Sequence, residues 1–229
     1  MARGRIAYVR MARGTQAVNI PSLTACVNTC ALGPRAADTQ SATQAATYAA
    51  RRFALGNFIL PALLYEPYIA EVIVAGEWCP GEGYTYVPCA SRYFSSDDAV
   101  AQRQAAFEAS TGEFVLFQHD DHILHPHAAR TIVSGAMNNV DVMVLPRFAR
   151  SMNGDVAKPN GGDATPPYLS GHAAVYRREI LEHVPWSAVP AIREWDQAQT
   201  MLMRGVGARL AWPKDGARVY DVEIGAMGR

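Results

Sequence analysis

No charge of one sign dominates this chain. Of its 229 residues, 21 are Lys or Arg and 21 are Asp or Glu, so the formal net charge is zero. That balance excludes a broad field for gripping a nucleic-acid backbone. The one local bias, Arg3, Arg5, Arg10 and Arg13, reads as a solvated end in preference to a nucleic-acid arm. Long apolar runs are missing too: the stretch Phe58 to Leu64 is interrupted by Pro61 and falls far short of the ~20 residues a membrane-crossing helix needs. No apolar segment of the secretory type follows the basic start, so the expectation is a soluble, cytoplasmic protein without membrane insertion. Cysteine is scarce. Cys26, Cys30, Cys79 and Cys89 form no CxxC pair, which argues against a disulfide scaffold or a tight zinc site and for reduced thiols.

What is present is an ordinary globular composition, 49% apolar and 18% charged, at a length that suits one domain. Residues 5–9 and 22–27 are short and β-capable. The stretch 36–64 reads as helix, with Gly56 and Pro61 bending or splitting it. Glu71 to Gly76 is a buried strand and Tyr84 to Val87 a short one inside a Gly/Pro/Tyr-rich loop. Ser96 or Asp97 caps a helix from about Asp98 to Ser110. Phe114 to Phe117 is a strand, and Pro126 opens a helix to about Met137. Val140 to Leu145 and His172 to Tyr176 are further strands. Residues 150–167, rich in Gly, Pro and Asn, read as a mobile loop or lid. Arg178 to His183 and Ile192 to Arg204 are helices; Val206 to Trp212 and Ala217 to Val222 are strands. This alternation predicts an α/β domain with a mostly parallel central sheet flanked by helices.

The chemistry concentrates where Phe114-Val115-Leu116-Phe117 runs into Gln118-His119-Asp120-Asp121-His122. Ligands of open α/β sheets bind just beyond the carboxyl ends of strands, and carboxylate and imidazole placed there suit a divalent cation with a phosphate. The bland reading is that the aspartates cap a turn. His125 and His127 are neighbours, but Pro126 breaks any helical metal spacing. A second cluster, Arg193-Glu194-Trp195-Asp196, lies at a helix start, where acids also serve the dipole; functionally, such a carboxylate can take a proton from an attacking hydroxyl. Third is Ser170-Gly171-His172, where a glycine permits close approach of a ligand.

In order and spacing these pieces resemble the middle of a GT-A glycosyltransferase of the family-2 type. Arg103-Gln104-Ala105, Thr111-Gly112-Glu113 and Phe114 to Asp121 follow that pattern, with His119 where the first Asp of a DxD motif usually stands. Ser170 to Glu179, with Arg177-Arg178-Glu179, and Glu194-Trp195-Asp196 followed by Met203-Arg204-Gly205 match its second half. The resemblance covers roughly residues 68–215. It implies a single Rossmann-like GT-A domain, with residues 1–125 as the nucleotide-sugar half and 126–229 as the acceptor half. It implies a nucleotide-diphosphate sugar as donor, and Mn²⁺ or Mg²⁺ held by Asp121 and His119, with manganese the better match to imidazole. Asp120 would face ribose or metal, and Glu77, Arg103, Gly171 and His172 would line the donor side. Asp196 would be the base of an inverting transfer, with Glu194 as its substitute. The first strand departs from the pattern, Ala25 to Thr29 standing where a Pro-Thr-Tyr-Asn-like turn is usual.

Three other readings stay open on sequence: a nucleotidyltransferase, for which Leu32-Gly33-Pro34-Arg35 is a poor phosphate loop; a His-rich metallohydrolase; and a catalytically silent nucleotide-sugar binding module. The acceptor is a hydroxyl of unresolved class (glycan, protein, small molecule or a hydroxylated DNA base), and the neutral charge does not favour DNA.

Overall fold

A strand buried on every residue must be covered on both faces, and β1, Leu23–Asn28, is buried throughout. The structure is a computed structural model that describes residues 21–29, 42–78, 81–90, 96–145, 147–151, 154–157, 173–192, 195–211 and 219–221. After β1 come α1 (Ala42–Ala54), α2 (Leu60–Leu64), β2 (Ile69–Gly76), β3 (Thr85–Pro88), α3 (Ser96–Ala109), β4 (Phe114–His119), β5 (His122–Leu124) and α4 (Ala128–Thr131). The second half contributes β6 (Val142–Val144), β7 (Arg147–Ser151), β8 (Gly154–Ala157), β9 (Ala173–Arg177), α5 (Arg178–His183), α6 (Trp195–Gly205), β10 (Leu210–Ala211) and β11 (Val219–Asp221).

Seven strands form the larger sheet in the order β10-β6-β9-β4-β1-β2-β3, and four form a smaller one, β5-β11-β7-β8. In the larger sheet β9 runs antiparallel to β4 and β6, and the other neighbours are parallel. The expected mostly parallel α/β sheet is therefore the observed one. Side-chain alternation divides its two faces. Leu23, Ala25 and Val27 join Leu55, Ile59 and Leu63 in one core; Cys26, Val115 and Phe117 join Val100, Ala106 and Phe107 in the other.

The strand order places the site. From β1 the chain moves outward to β2 and β3, then returns to lay β4 on the other side of β1. The crevice at such a reversal is where open α/β sheets bind ligands. Asn28 pairs in register with His119, so β1 and β4 end level and the residues that follow them emerge side by side.

Several local expectations are corrected. Gly56 and Pro61 do not split the long helix: α1 runs into α2 through a π-helical turn, Leu55–Ile59, in which Leu60 N–H reaches Leu55 O. Proline lacks an amide hydrogen and its ring crowds the carbonyl four residues back, and a widened turn relieves that crowding without a break. Residues 150–167 are not loop throughout. Their first part belongs to the β7–β8 hairpin, where Arg150 pairs with Asp155 and Ser151 with Gly154; residues 152–153 and 158–167 lie outside the described residues, as do 5–9. The expected strand from Val206 begins instead with a turn, Gly207 taking φ 77°, and extended structure resumes at Leu210. The short strand β5 was not expected: its central Ile123 pairs with Tyr220 of β11, a partner ninety-odd residues away.

Candidate functional site

Asp120 and Asp121 follow β4 directly and meet a cation from an unexpected direction. Arg51 of α1 spans the pair: its Nη1 donates to Asp120 Oδ1 and its Nη2 to Asp121 Oδ2, the latter at 2.9 Å. Thr29, the residue after β1, donates its hydroxyl to Asp120 Oδ2 at 2.8 Å. His122 Nδ1 lies 2.8 Å from Asp121 Oδ1. Asp120 is fully buried, and a carboxylate so placed is tolerable only with partners of this kind. Burial pushes its carboxyl up, Asp121 adds to that, and Arg51 and Thr29 oppose it. For Asp121 burial also pushes upward, but the His122 hydrogen bond and charge, with Arg51, outweigh it and hold the group well below the usual carboxylate range.

The cradle is tight. A Cβ at Gly76, the last residue of β2, would lie 2.4 Å from Thr29 Cγ2 and 2.7 Å from Thr29 O. Glycine there lets β2 close on the segment that carries the Asp120 partner. Beside it stands Asn28, 3% exposed, whose side-chain nitrogen and oxygen both lack hydrogen-bond partners. An orphaned buried amide at a strand end is costly, and a bound ligand would satisfy it.

His119 takes a different direction. By strand alternation it follows Phe117 onto the face covered by α3, where its Nε2 is 3.3 Å from Arg103 Nη2. Arg103 is 2% exposed. Its guanidinium lies over the rings of Phe117, Trp186 and Trp195 at 5.3, 5.0 and 4.9 Å. Burial pulls Arg103 down to about 10, against the charges of Tyr176 and Asp196, which favour its protonated form; a guanidinium remains charged there at neutral pH. Tyr176 OH donates to Gln199 Oε1 at 3.0 Å, which ties α6 to the sheet. Asp196 sits in the first turn of α6, next to Trp195, with its Oδ1 accepting from Gln197 N–H at 2.8 Å.

The residues expected from sequence thus divide. Asp120 and Asp121 meet each other through Arg51, whereas His119 and Asp196 are linked through Arg103. Glu77 is exposed just beyond β2, at the same edge of the sheet. Glu194, Gly171 and His172 lie outside the described residues, as do Cys30 and Cys79. Cys26 and Cys89 are free thiols, 3.8 Å from Ala106 O and 3.6 Å from Val87 O. The rings of His125 and His127 meet at a tilt of 58°, 5.4 Å between centroids. Sequence reasoning missed Arg51 altogether. The signal was there: Tyr48, Arg51, Leu55 and Ile59 fall on one helical stripe, so Arg51 shares the buried face.

A divalent cation is what the resemblance implied for this motif, and the donor set does not suit one as it stands. Three of the four carboxylate oxygens of Asp120 and Asp121 accept hydrogen bonds from Arg51 and Thr29, and the fourth, Asp121 Oδ1, has His122 Nδ1 2.8 Å away. Among the described residues no three His, Cys, Asp or Glu side chains converge as a metal site.

The sequence matches no protein-family model and no curated protein. Among solved structures, the chain is similar to residues 1–349 of S. aureus TarS, with TM-score 0.53 and 15% identity over 87% of this chain and 60% of that one. The same fragment in complex with UDP gives TM-score 0.52 at 14% identity, with the same shares covered. Mannosyltransferase PcManGT from Pyrobaculum calidifontis, solved with GDP-Man and Mn²⁺, gives TM-score 0.55 and 16% identity over 89% of this chain and 57% of that one. The chain spans about 60% of the length of these structures. No helix among the described residues is long and apolar enough to cross a membrane. With its seven-stranded sheet, its reversed strand between β4 and β6 and these neighbours, the chain has the fold of the GT-A-type glycosyltransferases.

Proposed function

We propose that this protein transfers a sugar from a nucleotide-diphosphate donor to a hydroxyl acceptor. The observation that carries the reading is the Asp120–Asp121 pair, level with the end of β1 at the reversal of strand order. Donor chemistry is supported by the neighbours that share the fold, TarS solved with UDP and PcManGT with GDP-Man. The orphaned amide of Asn28 supplies two hydrogen-bonding atoms that a nucleotide can satisfy. In this reading residues 1–125 form the donor half, with Glu77, Asp120 and Arg103 on its rim or beneath it, and 126–229 the acceptor half, Gly171 and His172 being assigned to donor binding.

Asp196 is the base. At the first turn of α6 it removes a proton from the acceptor hydroxyl as the oxygen attacks the sugar carbon, which gives inversion. Glu194 is its substitute. Arg103 works underneath, its buried charge acting on Asp196 from one side while it meets His119 on the other. Of the neighbours described, PcManGT was solved with Mn²⁺.

The test is a panel of UDP- and GDP-sugars, scored for release of the nucleotide diphosphate with and without alcohol acceptors. Turnover is expected on at least one donor, and Asp196→Asn should lower kcat by ~10²-fold or more with nucleotide affinity kept. Unchanged turnover in that variant would remove Asp196 from the role. Absence of release from every donor would leave a nucleotide-sugar binding module.

A further inference from the structure

We propose that Arg51 is the cation of the donor site, holding by a guanidinium the place at the acidic pair that a divalent metal would otherwise take. The inference deepens the proposed function and rests on it for the identity of the ligand.

Three observations carry it. First, a metal needs carboxylate lone pairs directed at it, and three of the four oxygens of Asp120 and Asp121 already accept from Arg51 and Thr29, while the fourth, Asp121 Oδ1, lies 2.8 Å from His122 Nδ1. Second, the arginine is built in. Its side chain is 12% exposed, and it stands on the buried stripe of α1 with Tyr48 on the turn before it and Leu55 after it. A cation entering between the aspartates must expel a guanidinium that the helix positions there, and leave its charge without the carboxylates that compensate it. Third, the geometry matches what a guanidinium does well. One planar fork reaches two different carboxylates through its two Nη atoms, and each Nη carries a second N–H. Arginine is the preferred partner of phosphate oxygens in proteins, and this one stands beside the strand ends where the donor diphosphate would bind.

The charges agree. Two aspartates alone would repel a diphosphate, and the guanidinium of Arg51, paired with both, offsets part of that charge. A helix-borne guanidinium thus makes the crevice acceptable to an anion without an added ion. His119 does not complete a metal shell as it stands, its Nε2 lying 3.3 Å from the guanidinium of Arg103.

The experiment separates this inference from the function it rests on by using two probes. Mn²⁺ alone, followed by electron paramagnetic resonance, reports competition for the carboxylates whatever the substrate is. Arg51→Gln, which frees two carboxylate oxygens, is expected to bind Mn²⁺ at least ~10-fold more tightly than the wild type, which corresponds to about 1.4 kcal/mol. Equal Mn²⁺ affinity in the two proteins, or tighter binding by the wild type, would overturn the inference. UDP and GDP, followed by calorimetry, report on the ligand. In wild-type protein nucleotide affinity should agree within a few-fold between Mn²⁺ and EDTA, whereas in Arg51→Gln it should fall at least ~10-fold in EDTA and recover in Mn²⁺. A wild type that binds nucleotide only with Mn²⁺ overturns the inference. If neither nucleotide binds either protein, the proposed function fails, and the Mn²⁺ comparison still decides the role of Arg51. Should Arg51→Gln unfold, Arg51→Lys replaces it: a single ammonium in place of the two-armed fork should raise Mn²⁺ affinity as well, and no rise would count against the inference.

Discussion

Arg103 and His119 meet at 3.3 Å across the face of the sheet that α3 covers, and the arginine is the more buried partner. The contact ties the histidine to α3, while its ring stays 6.0 Å from that of His122 beside Asp121. It also joins two parts of the candidate site that are far apart in the chain, since the charge of Asp196 acts on the same guanidinium.

Arg103→Ala should therefore be costly. It removes a charge over three aromatic faces and opens a space beneath Trp186 and Trp195. A loss of about 3 kcal/mol is expected, read as a lowered denaturant midpoint with unchanged slope. Arg103→Lys should recover less than half, because an ammonium cannot stack as a planar guanidinium does. A shift within experimental error would show that the aromatic cage holds without its cation.

Gly76→Ala tests the cradle from below. The added carbon meets the backbone oxygen of Thr29, which cannot move aside cheaply. Overpacking of this kind costs about 2 kcal/mol, and the displaced Thr29 should weaken its hold on Asp120. Nucleotide affinity should fall together with the melting temperature. A variant as stable as the parent would mean that β2 and the Thr29 segment separate easily.

Acid stability should reveal Asp141. Arg209 donates to it from N and Nε at 2.8 and 3.0 Å and from Nη2 at 2.9 Å. Those bonds, chiefly the side-chain ones, hold its carboxyl below the ordinary range. A group depressed in the folded state contributes stability that is present above its unfolded pKa, about 4, and is lost as pH falls through the lower folded value. Wild-type stability should thus drop below about pH 4, and Asp141→Asn should flatten that limb while lowering the neutral plateau slightly. Parallel curves for the two proteins would contradict it.

Most of the fold was legible in the sequence because it rests on local patterns. Val72 to Ala75 and Phe114 to Phe117 are apolar on consecutive residues, and such runs become strands buried on both faces. The helix of α3 was legible from its apolar positions, of which Val100 and Phe107 are buried while Ala101 is exposed, though it begins at Ser96 and so includes the residues expected to cap it. What failed did so where the cause was remote. β5 is only three residues long and exists because β11 pairs with it. The start of the 150–167 segment has loop composition, yet a hairpin register holds it. Pro61 argues for a break, and only packing of Leu55, Ile59 and Leu63 into the core keeps the helix running past it.

The candidate site divides along the same line. The sequence by itself determined that two carboxylates stand at the end of a buried strand, since both facts are written in adjacent residues, Phe114 to Asp121. It also placed Asp196 at a helix start. Which charges face those groups was decided by the tertiary structure alone. Arg51 lies 69 residues from Asp120 and reaches it because β1 and β4 are neighbours and α1 packs across their ends. Arg103 reaches His119 because strand alternation sends that side chain to the α3 face and its neighbour to the other. Electrostatic partnership depends on distance in space and on burial, and neither is a property of local sequence.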